Sequence, residues 1–228
     1  MTCDAQWVPP TRLERHTLLL RAALGDRDSA LDAYTTWASG FSLDDAVDRG
    51  EFAILSAMAI NLTRHGIALD DEIGMRIRGI KRRVWTSNAL RLNSARDAIN
   101  AMESVGADVA VHSSALGVLL EFDDVAVVPL DHIELWVSTA RAPRCVAALV
   151  AIGAETESRL EAYLDERAAW QAEFYATFDG CGILLRWDVE HDSSLTRTSA
   201  MPVGAHSFNV VPVSDRVWGY LCQITRIP

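Results

Sequence analysis

The hydrophobic pattern of this sequence changes its period at Gly106, and this change restricts the folds that the chain can adopt. Before Gly106, core-type positions recur at spacings of three and four, which predicts one long helix starting at Asp70-Asp71. These positions are Ile73, Ile77, Ile80, Val84, Asn88, Leu92, Ala95, Ile99 and Met102. After Gly106, Val109 and Val111 alternate with small residues, as in a strand. Residues 1–106 are therefore predicted to form a helical region, and residues 107–228 an α+β region.

The helical region carries signals for the start and end of individual helices. Thr11, with Glu14 three residues later, predicts a capping box, and Gly25 suits the end of that helix. Further helical segments are predicted at Ser29–Ala38, from Ser42 onward and at about Phe52–His65. Gly74 and Gly79 each weaken the long helix by ~1 kcal/mol relative to alanine, so a break near residue 79 is an option.

In the α+β region, Asp179-Gly180 lies between two strand-like segments and predicts a β-hairpin with a type I′ turn. The other predicted elements are a helix at Ser114–Phe122, a strand at Ile133–Val137, helices at Pro143–Gly153, Glu155–Ala168 and Arg216–Ile224, and a strand at Phe208–Val213. The segment from His191 to Gly204 is rich in turn-forming residues. We therefore expect four or five strands with flanking helices.

The charge of the chain disfavours two classes of partner. The formal net charge is −10 and the isoelectric point is about 5.0. Nucleic acid and anionic membrane surfaces repel such a chain, so neither is expected as a partner. A small molecule, or a protein or peptide, is expected instead, and the sequence does not fix the oligomeric state.

The N-terminus and the cysteines predict a cytoplasmic protein. The first residues lack the positive start and the apolar run of a signal peptide. The longest apolar run, Val146–Ala154, is too short to span a bilayer. The four cysteines, which show no C-x-x-C spacing and are expected to be free thiols, are Cys3, Cys145, Cys181 and Cys222.

Several motifs follow one another in a recognisable order from about Leu18 to Cys222. They are Arg78-Gly79-Ile80-Lys81-Arg82-Arg83-Val84-Trp85 with Asn88, then Gly106, a valine-rich strand, Ala115-Leu116, Pro129-Leu130-x-x-Ile133-x-Leu135-x-Val137 and Leu185-Arg186-Trp187. This order and spacing resemble an uncharacterised bacterial nucleotidyltransferase family of the DNA polymerase β-like superfamily, often found near natural-product and lasso-peptide genes. The resemblance implies a helical N-terminal half followed by a nucleotidyltransferase-like mixed sheet with flanking helices.

The chain departs from the motifs of that family at three places. The turn after the first strand usually reads Lys-Gly-x-x-Leu, and here it is His112-Ser113-Ser114-Ala115-Leu116. The second strand usually reads Ser-Asp-x-Asp-Leu, and here it is Asp131-His132-Ile133-Glu134-Leu135. A third acidic residue usually lies two residues before a His-Trp pair, and here Leu184 precedes Arg186-Trp187.

These departures bear on the metal chemistry that the resemblance implies. Nucleotidyl transfer needs Mg²⁺ to bridge the phosphates, and Mg²⁺ prefers hard oxygen ligands. His132 is a poor ligand for Mg²⁺, and Leu184 cannot bind the ion at all. Of the three acidic positions of the family, only the one at Glu134 is therefore retained. We therefore expect a degenerate active site with no metal or other cofactor, in a pseudoenzyme that acts as a binding or accessory protein. The genes near which the family is found suggest a role in natural-product biosynthesis.

Two other interpretations remain open. An enzyme could use the same cleft for atypical nucleotidyl transfer with Mg²⁺ and a nucleotide, or for a His/Ser/Glu-based reaction on a small molecule or peptide. The candidate cleft residues are His112, Ser113, Ser114, Asp131, His132, Glu134 and Arg186. A cleft filled by Trp136 or Trp187 would count against this version. Alternatively, the helical region could be an interaction module, which an exposed apolar patch would support.

Overall fold

The computed structural model describes residues 11–40, 49–112, 119, 123–156, 173–187 and 198–211. These residues form the helices α1 (Arg12–Leu24), α2 (Arg27–Ser39), α3 (Arg49–Arg64), α4 (Glu72–Ser104) and α5 (Ala142–Ala151). They form the strands β1 (Ala110–Val111), β2 (His132–Trp136), β3 (Glu173–Phe178), β4 (Cys181–Arg186), β5 (Ser199–Val203) and β6 (His206–Val210). The predicted α+β class, with a helical N-terminal half before a mixed sheet, is confirmed. None of the helices in these ranges is long and apolar enough to cross a membrane.

Side chains complete both ends of helix α1. The Thr11 hydroxyl accepts a hydrogen bond from the backbone N–H of Glu14 (3.3 Å), whose carboxylate accepts one from the backbone N–H of Thr11 (2.7 Å). The predicted capping box is therefore present. At the other end, Asn61 on α3 donates to the carbonyl oxygens of Ala22 (3.1 Å) and Gly25 (3.0 Å), which satisfies carbonyls that the helix leaves without a partner.

Helix α4 is a single helix of 33 residues that continues through Gly79. Its first turn is capped by the Asp71 carboxylate, which accepts a hydrogen bond from the backbone N–H of Gly74 at 2.6 Å. The hydroxyl of Tyr34 on α2 donates to the same carboxylate at 3.2 Å. Burial of Tyr34, together with the negative charge of Asp71, raises the pKa of the tyrosine to about 12. Tyr34 therefore stays protonated at neutral pH and holds the cap in place.

The capped turn makes a prediction about Gly74. We expect Gly74→Ala to lower the free energy of unfolding by about 1–3 kcal/mol, because overpacking next to backbone atoms is costly. The added Cβ would lie 2.6 Å from the carbonyl carbon of Leu69 and 2.7 Å from Oδ1 of Asp71. Urea unfolding followed by circular dichroism measures the effect.

Gly79→Ala is the matched control for Gly74→Ala, since it makes the same change in the same helix. A Cβ at Gly79 meets no atom within 4 Å, so this variant is expected to be more stable than the wild type by up to ~1 kcal/mol. Equal effects of the two substitutions would contradict the close packing assigned to Gly74.

The six strands of the described residues form one mixed sheet in the order β3-β4-β2-β1-β6-β5. Strand β2 is antiparallel to β1 and parallel to β4, and β1 is parallel to β6. The predicted hairpin is confirmed as β3 and β4, which pair from Phe178 and Cys181 onward. Asp179 and Gly180 between them have φ angles of 47° and 73°, the positive values that a type I′ turn requires.

The register gives the two faces of the sheet different characters. Residues paired across neighbouring strands lie on the same face. One face is apolar and buried, and it carries Val111, Ile133, Leu135, Phe174, Ala176, Ile183, Leu185, Phe208 and Val210. The other face carries the residues of interest for function, His112, His132, Glu134, Trp136, Leu184, Arg186 and Glu173.

The predicted number of strands is wrong, because the described residues hold six strands rather than four or five. One of the six, β5, lies in the segment that is rich in turn-forming residues. Strand β5 lies at the edge of the sheet and bonds only to β6, so it tolerates Pro202, which lacks a backbone N–H. Gly204, with a φ of 59°, forms the turn between the two strands. The segments predicted to be helical at 114–122, 155–168 and 216–224, and the piece from Ser42, fall wholly or largely outside the described residues.

The described part of the chain divides into two compact units. The first contains the residues up to Thr86 together with Ala126–Pro129, and the second contains those of Ser87–Val125 and from Leu130 onward. Helix α4 contributes its first half to one unit and its second half to the other. The whole mixed sheet belongs to the second unit.

Two of the four cysteines, Cys145 and Cys181, lie in the described part of the second unit. Both are free and buried, as expected from their scattered positions. Burial raises the pKa of Cys145 to about 12 and that of Cys181 to about 11. Both thiols are therefore protonated at neutral pH and are poor nucleophiles.

Candidate functional site

Three positions singled out in the sequence lie side by side across three strands. Glu134 on β2 pairs with Leu184 on β4 in parallel register. On its other side, the backbone N–H of His112, directly after β1, donates to the carbonyl oxygen of Glu134 at 3.0 Å. One row on the same face of the sheet thus contains His112 from the turn, Glu134 from the second strand and Leu184 at the position of the third acid.

The Glu134 carboxylate is the centre of a polar cluster on this face. Its Oε1 atom accepts a hydrogen bond from Nε1 of Trp136 at 3.0 Å. The same oxygen lies 3.4 Å from Nη1 of Arg186 and 3.5 Å from Nδ1 of His112. We call these four residues, His112, Glu134, Trp136 and Arg186, the Glu134 cluster. One carboxylate oxygen therefore lies within 3.5 Å of nitrogen atoms from three side chains.

Aromatic packing closes the cluster on one side. The rings of His112 and Trp136 are stacked, with centroids 4.3 Å apart and an interplanar angle of 16°. Trp136 also packs with Ala110 and Val211, and all three residues are buried. His112 is fully buried, and the side chain of Glu134 is 9% exposed. Solvent therefore has little access to the carboxylate, which strengthens its contacts with charged neighbours.

Arg186 connects the cluster to the edge of the sheet. Its Nη2 atom lies 3.4 Å from Oε2 of Glu173 on the edge strand β3, while Nη1 faces Glu134. The two carboxylates differ in exposure, since the side chain of Glu173 is 62% exposed and that of Glu134 is 9% exposed. The guanidinium therefore bridges one buried and one solvated negative charge.

The surroundings of Glu134 keep it ionised. Burial by itself raises the pKa of this carboxyl group, but the nearby His112 side chain, the hydrogen bond from Trp136 and the positive charge of Arg186 lower it by more. The net pKa lies below the ordinary value for glutamate. A carboxylate with a lowered pKa is a weak base, so this group is poorly suited to accept a proton from a substrate at neutral pH.

The other predicted cleft residues are not part of the cluster. Asp131 and His132 are both exposed, and His132 starts β2 on the same face as Glu134. Ser113 and Ser114 lie outside the described residues. The structure thus brings together His112, Glu134 and Arg186 from the predicted set.

Two members of the arrangement were not predicted as functional residues. Trp136 was considered only as a residue that could fill the cleft. It is buried, and its indole N–H donates a hydrogen bond to Glu134. The signal for this was its position two residues after Glu134, on the same face of a strand. Glu173 was not singled out, although the hairpin register, which pairs it with Arg186, follows from the turn at Asp179-Gly180.

Among the described residues, no group of three or more His, Cys, Asp or Glu side chains is placed to hold a metal ion. Comparison of the chain with protein-family models, with curated proteins and with solved structures finds no match in any of the three.

Proposed function

We propose that this chain is a nucleotidyltransferase-like protein whose metal position has been replaced by the Glu134 cluster, and that it works as a non-catalytic binding or accessory protein. The observation that carries the proposal is that nitrogen atoms of three side chains, Trp136, Arg186 and His112, lie within 3.5 Å of one carboxylate oxygen of Glu134. In the resembling family, this position carries an aspartate of the metal site.

The charges of the cluster support the proposal that Mg²⁺ is not bound there. A magnesium ion needs several oxygen ligands in near-octahedral geometry. Glu134 already faces the guanidinium of Arg186, and its neighbours in the row are a histidine and a leucine. Mg²⁺ would have to displace Arg186 and would gain one carboxylate in return. Arg186 therefore takes the place of the cation as the counter-charge of the acidic residue.

The register is the second line of support for the proposal. His112 and Leu184 were matched to the phosphate-binding turn and to the third acid by their order in the sequence alone. They lie on the two sides of Glu134, as residues of one shared site would. The resemblance further suggests a role in natural-product biosynthesis, with a small molecule or a protein or peptide as the binding partner.

An enzyme that uses His112, a serine and Glu134 in this place has weaker support. His112 is fully buried and stacked on Trp136, so a substrate would have to displace the indole ring to reach it. The lowered pKa of Glu134 also makes it a weak general base.

Nucleotide and metal binding test the proposed function directly. We expect the melting temperature of the wild type to be unchanged by nucleoside triphosphates with Mg²⁺ or Mn²⁺, because a ligand that binds the native state must raise it. We also expect no turnover of any of the four ribonucleoside triphosphates. Mg²⁺-dependent turnover that is abolished by Glu134→Gln would overturn the proposal.

A variant that restores the residues of the family pattern tests whether this row of residues can bind a metal ion. It combines His132→Asp, Glu134→Asp, Leu184→Asp and Arg186→His, and we expect it to bind Mn²⁺ detectably by electron paramagnetic resonance. The matched control keeps Leu184 and therefore lacks the third carboxylate, so it should bind Mn²⁺ more weakly. A folded four-residue variant with no more affinity for Mn²⁺ than the wild type would contradict the idea that this row descends from a metal site.

A further inference from the structure

The exposed side of the first half of helix α4 combines basic and apolar residues. Within this chain of net charge −10, residues 73–86 contain no acidic residue, and they contain the basic residues Arg76, Arg78, Lys81, Arg82 and Arg83. Met75 and Trp85 are 53% and 54% exposed, which is unusual for large apolar side chains in mid-helix. With Arg78, Gly79 and Arg82, which are also exposed, they follow helical spacing along one face. We call Met75, Arg78, Gly79, Arg82 and Trp85 the α4 stripe.

The basic residues of the stripe are Arg78 and Arg82, and three acidic residues, Asp70, Asp71 and Glu72, precede it in the sequence. Arg78 lies 3.1 Å from Asp70. Arg83 does not belong to the stripe, because its guanidinium lies over the ring of Phe52 on α3, 5.9 Å from the ring centroid. Arg82, between the two apolar residues, is exposed to solvent.

Gly79 provides an independent observation about the stripe. Its helix does not need a glycine there, since an added Cβ would meet no atom within 4 Å. Glycine in the middle of a helix is less favourable than alanine. A glycine on an exposed helix face does allow another backbone to approach closely. Its position between Met75 and Arg82 therefore fits a surface that receives a second chain segment.

We propose that the α4 stripe binds an acidic, amphipathic helical segment of a partner protein. Glutamates or aspartates of the partner pair with Arg78 and Arg82, its apolar residues cover Met75 and Trp85, and its backbone passes over Gly79. A protein partner is favoured over nucleic acid for two reasons. The exposed Met75 has no group that binds phosphate, and the chain as a whole is acidic. The inference names a partner for the binding function proposed above and in that sense rests on it, but its test uses residues outside the Glu134 cluster.

Fluorescence anisotropy with a synthetic probe peptide tests the proposal on the full chain. The probe is a labelled peptide of about 20 residues with leucines at helical spacing and glutamates elsewhere, and its counterpart carries lysines in place of the glutamates. We expect the acidic peptide to bind and the basic one not to bind. We also expect affinity to fall steeply as salt rises from about 50 to about 500 mM, because the contacts are exposed ion pairs.

Substitutions in the stripe locate the binding site. Arg82→Glu and Trp85→Ala are each expected to weaken binding about tenfold or more. The matched controls are Arg27→Glu and Leu24→Ala, which alter an exposed arginine and an exposed leucine elsewhere, and they should leave the affinity within about twofold. Gly79→Ala should raise the melting temperature by about 2–4 °C, yet weaken peptide binding about fivefold. If Gly79 had only a structural role, Gly79→Ala would not raise the melting temperature and weaken peptide binding at the same time.

Several results would overturn the inference. One is equal affinity for the acidic and the basic peptide, and another is wild-type affinity in Arg82→Glu. Tighter binding of a single-stranded oligonucleotide than of the acidic peptide would make nucleic acid the occupant. Dimerisation in sedimentation experiments that Arg82→Glu abolishes would make a second copy the occupant. None of these outcomes bears on nucleotide turnover, so failure here is distinguishable from failure of the proposed function.

Discussion

Replacement of Glu134 by glutamine is expected to lower the free energy of unfolding by about 3 kcal/mol at neutral pH, at the low end of the range for removing one partner of a buried ion pair. The substitution keeps the size of the side chain but removes the negative charge that faces Arg186 and His112. The loss stays at the low end because the Arg186 side chain is itself 28% exposed and retains its contact with Glu173. Urea unfolding followed by circular dichroism measures the difference.

Glu173→Gln is the matched control, because it makes the same chemical change on the other partner of Arg186. The side chain of Glu173 is largely exposed, and exposed ion pairs contribute less than about 1 kcal/mol. We therefore expect a small effect for Glu173→Gln and a large one for Glu134→Gln. Similar losses for the two variants would contradict the structural role assigned to burial in the Glu134 cluster.

The lowered pKa of Glu134 predicts how this stability difference depends on pH. A carboxyl group with a lowered pKa in the folded state stabilises the protein fully above its unfolded pKa, which for glutamate is about 4.3. The contribution is lost as the pH falls through the folded pKa. The gap between wild type and Glu134→Gln should therefore be constant from pH 7 down to about 4.5 and shrink below that. A gap that widens in acid would contradict the direction of the shift.

Much of the helical region follows from local signals in the sequence, whereas the end of the sheet does not. The capping box at Thr11 and Glu14 is set by contacts within a few residues, and the 33-residue helix α4 follows a regular hydrophobic repeat, so pattern alone predicts both. Strand β5 was missed because it forms through hydrogen bonds with its partner β6, and local sequence patterns do not reveal this pairing. Gly79 was considered a possible break, but burial of neighbouring positions such as Ile77 and Val84 keeps α4 intact.

The candidate site shows the same division. The sequence singled out His112, Glu134 and Arg186 as candidate cleft residues, but it did not predict which of them contact one another. That their side chains meet at one oxygen atom depends on the pairing of β1, β2 and β4, which connects distant parts of the chain. The family resemblance identified these residues, whereas the pairing of β1, β2 and β4 determines which of them face one another.

Asn88 is the other buried polar residue with a large predicted effect. It lies in the second half of helix α4 and is fully buried. Its Nδ2 atom donates to the carbonyl oxygen of Val125 at 2.7 Å, and its Oδ1 atom accepts from the backbone N–H of Leu130 at 2.9 Å. These two bonds fix residues just before β2, the strand that carries Glu134. Sequence periodicity placed Asn88 on the core face of the helix without explaining why it is polar.

Asn88→Asp is expected to lower the free energy of unfolding by at least ~3 kcal/mol, because it buries a charge and removes a donor. The new carboxylate can still accept from Leu130, but its second oxygen would face the carbonyl oxygen of Val125. Asn100→Asp is the matched control on the same helix, since Asn100 is exposed and the change there should stay within about 0.5 kcal/mol.

Acid should relieve the Asn88→Asp defect, in contrast to its effect on most buried ion pairs. Burial raises the pKa of an aspartic acid, and the protonated group regains a donor for the carbonyl oxygen of Val125. The stability gap between wild type and Asn88→Asp should therefore narrow as the pH falls from 7 toward 4, whereas the Asn100→Asp gap should remain small. A gap for Asn88→Asp that is independent of pH would mean that the loss comes from packing rather than from the buried charge and the missing donor.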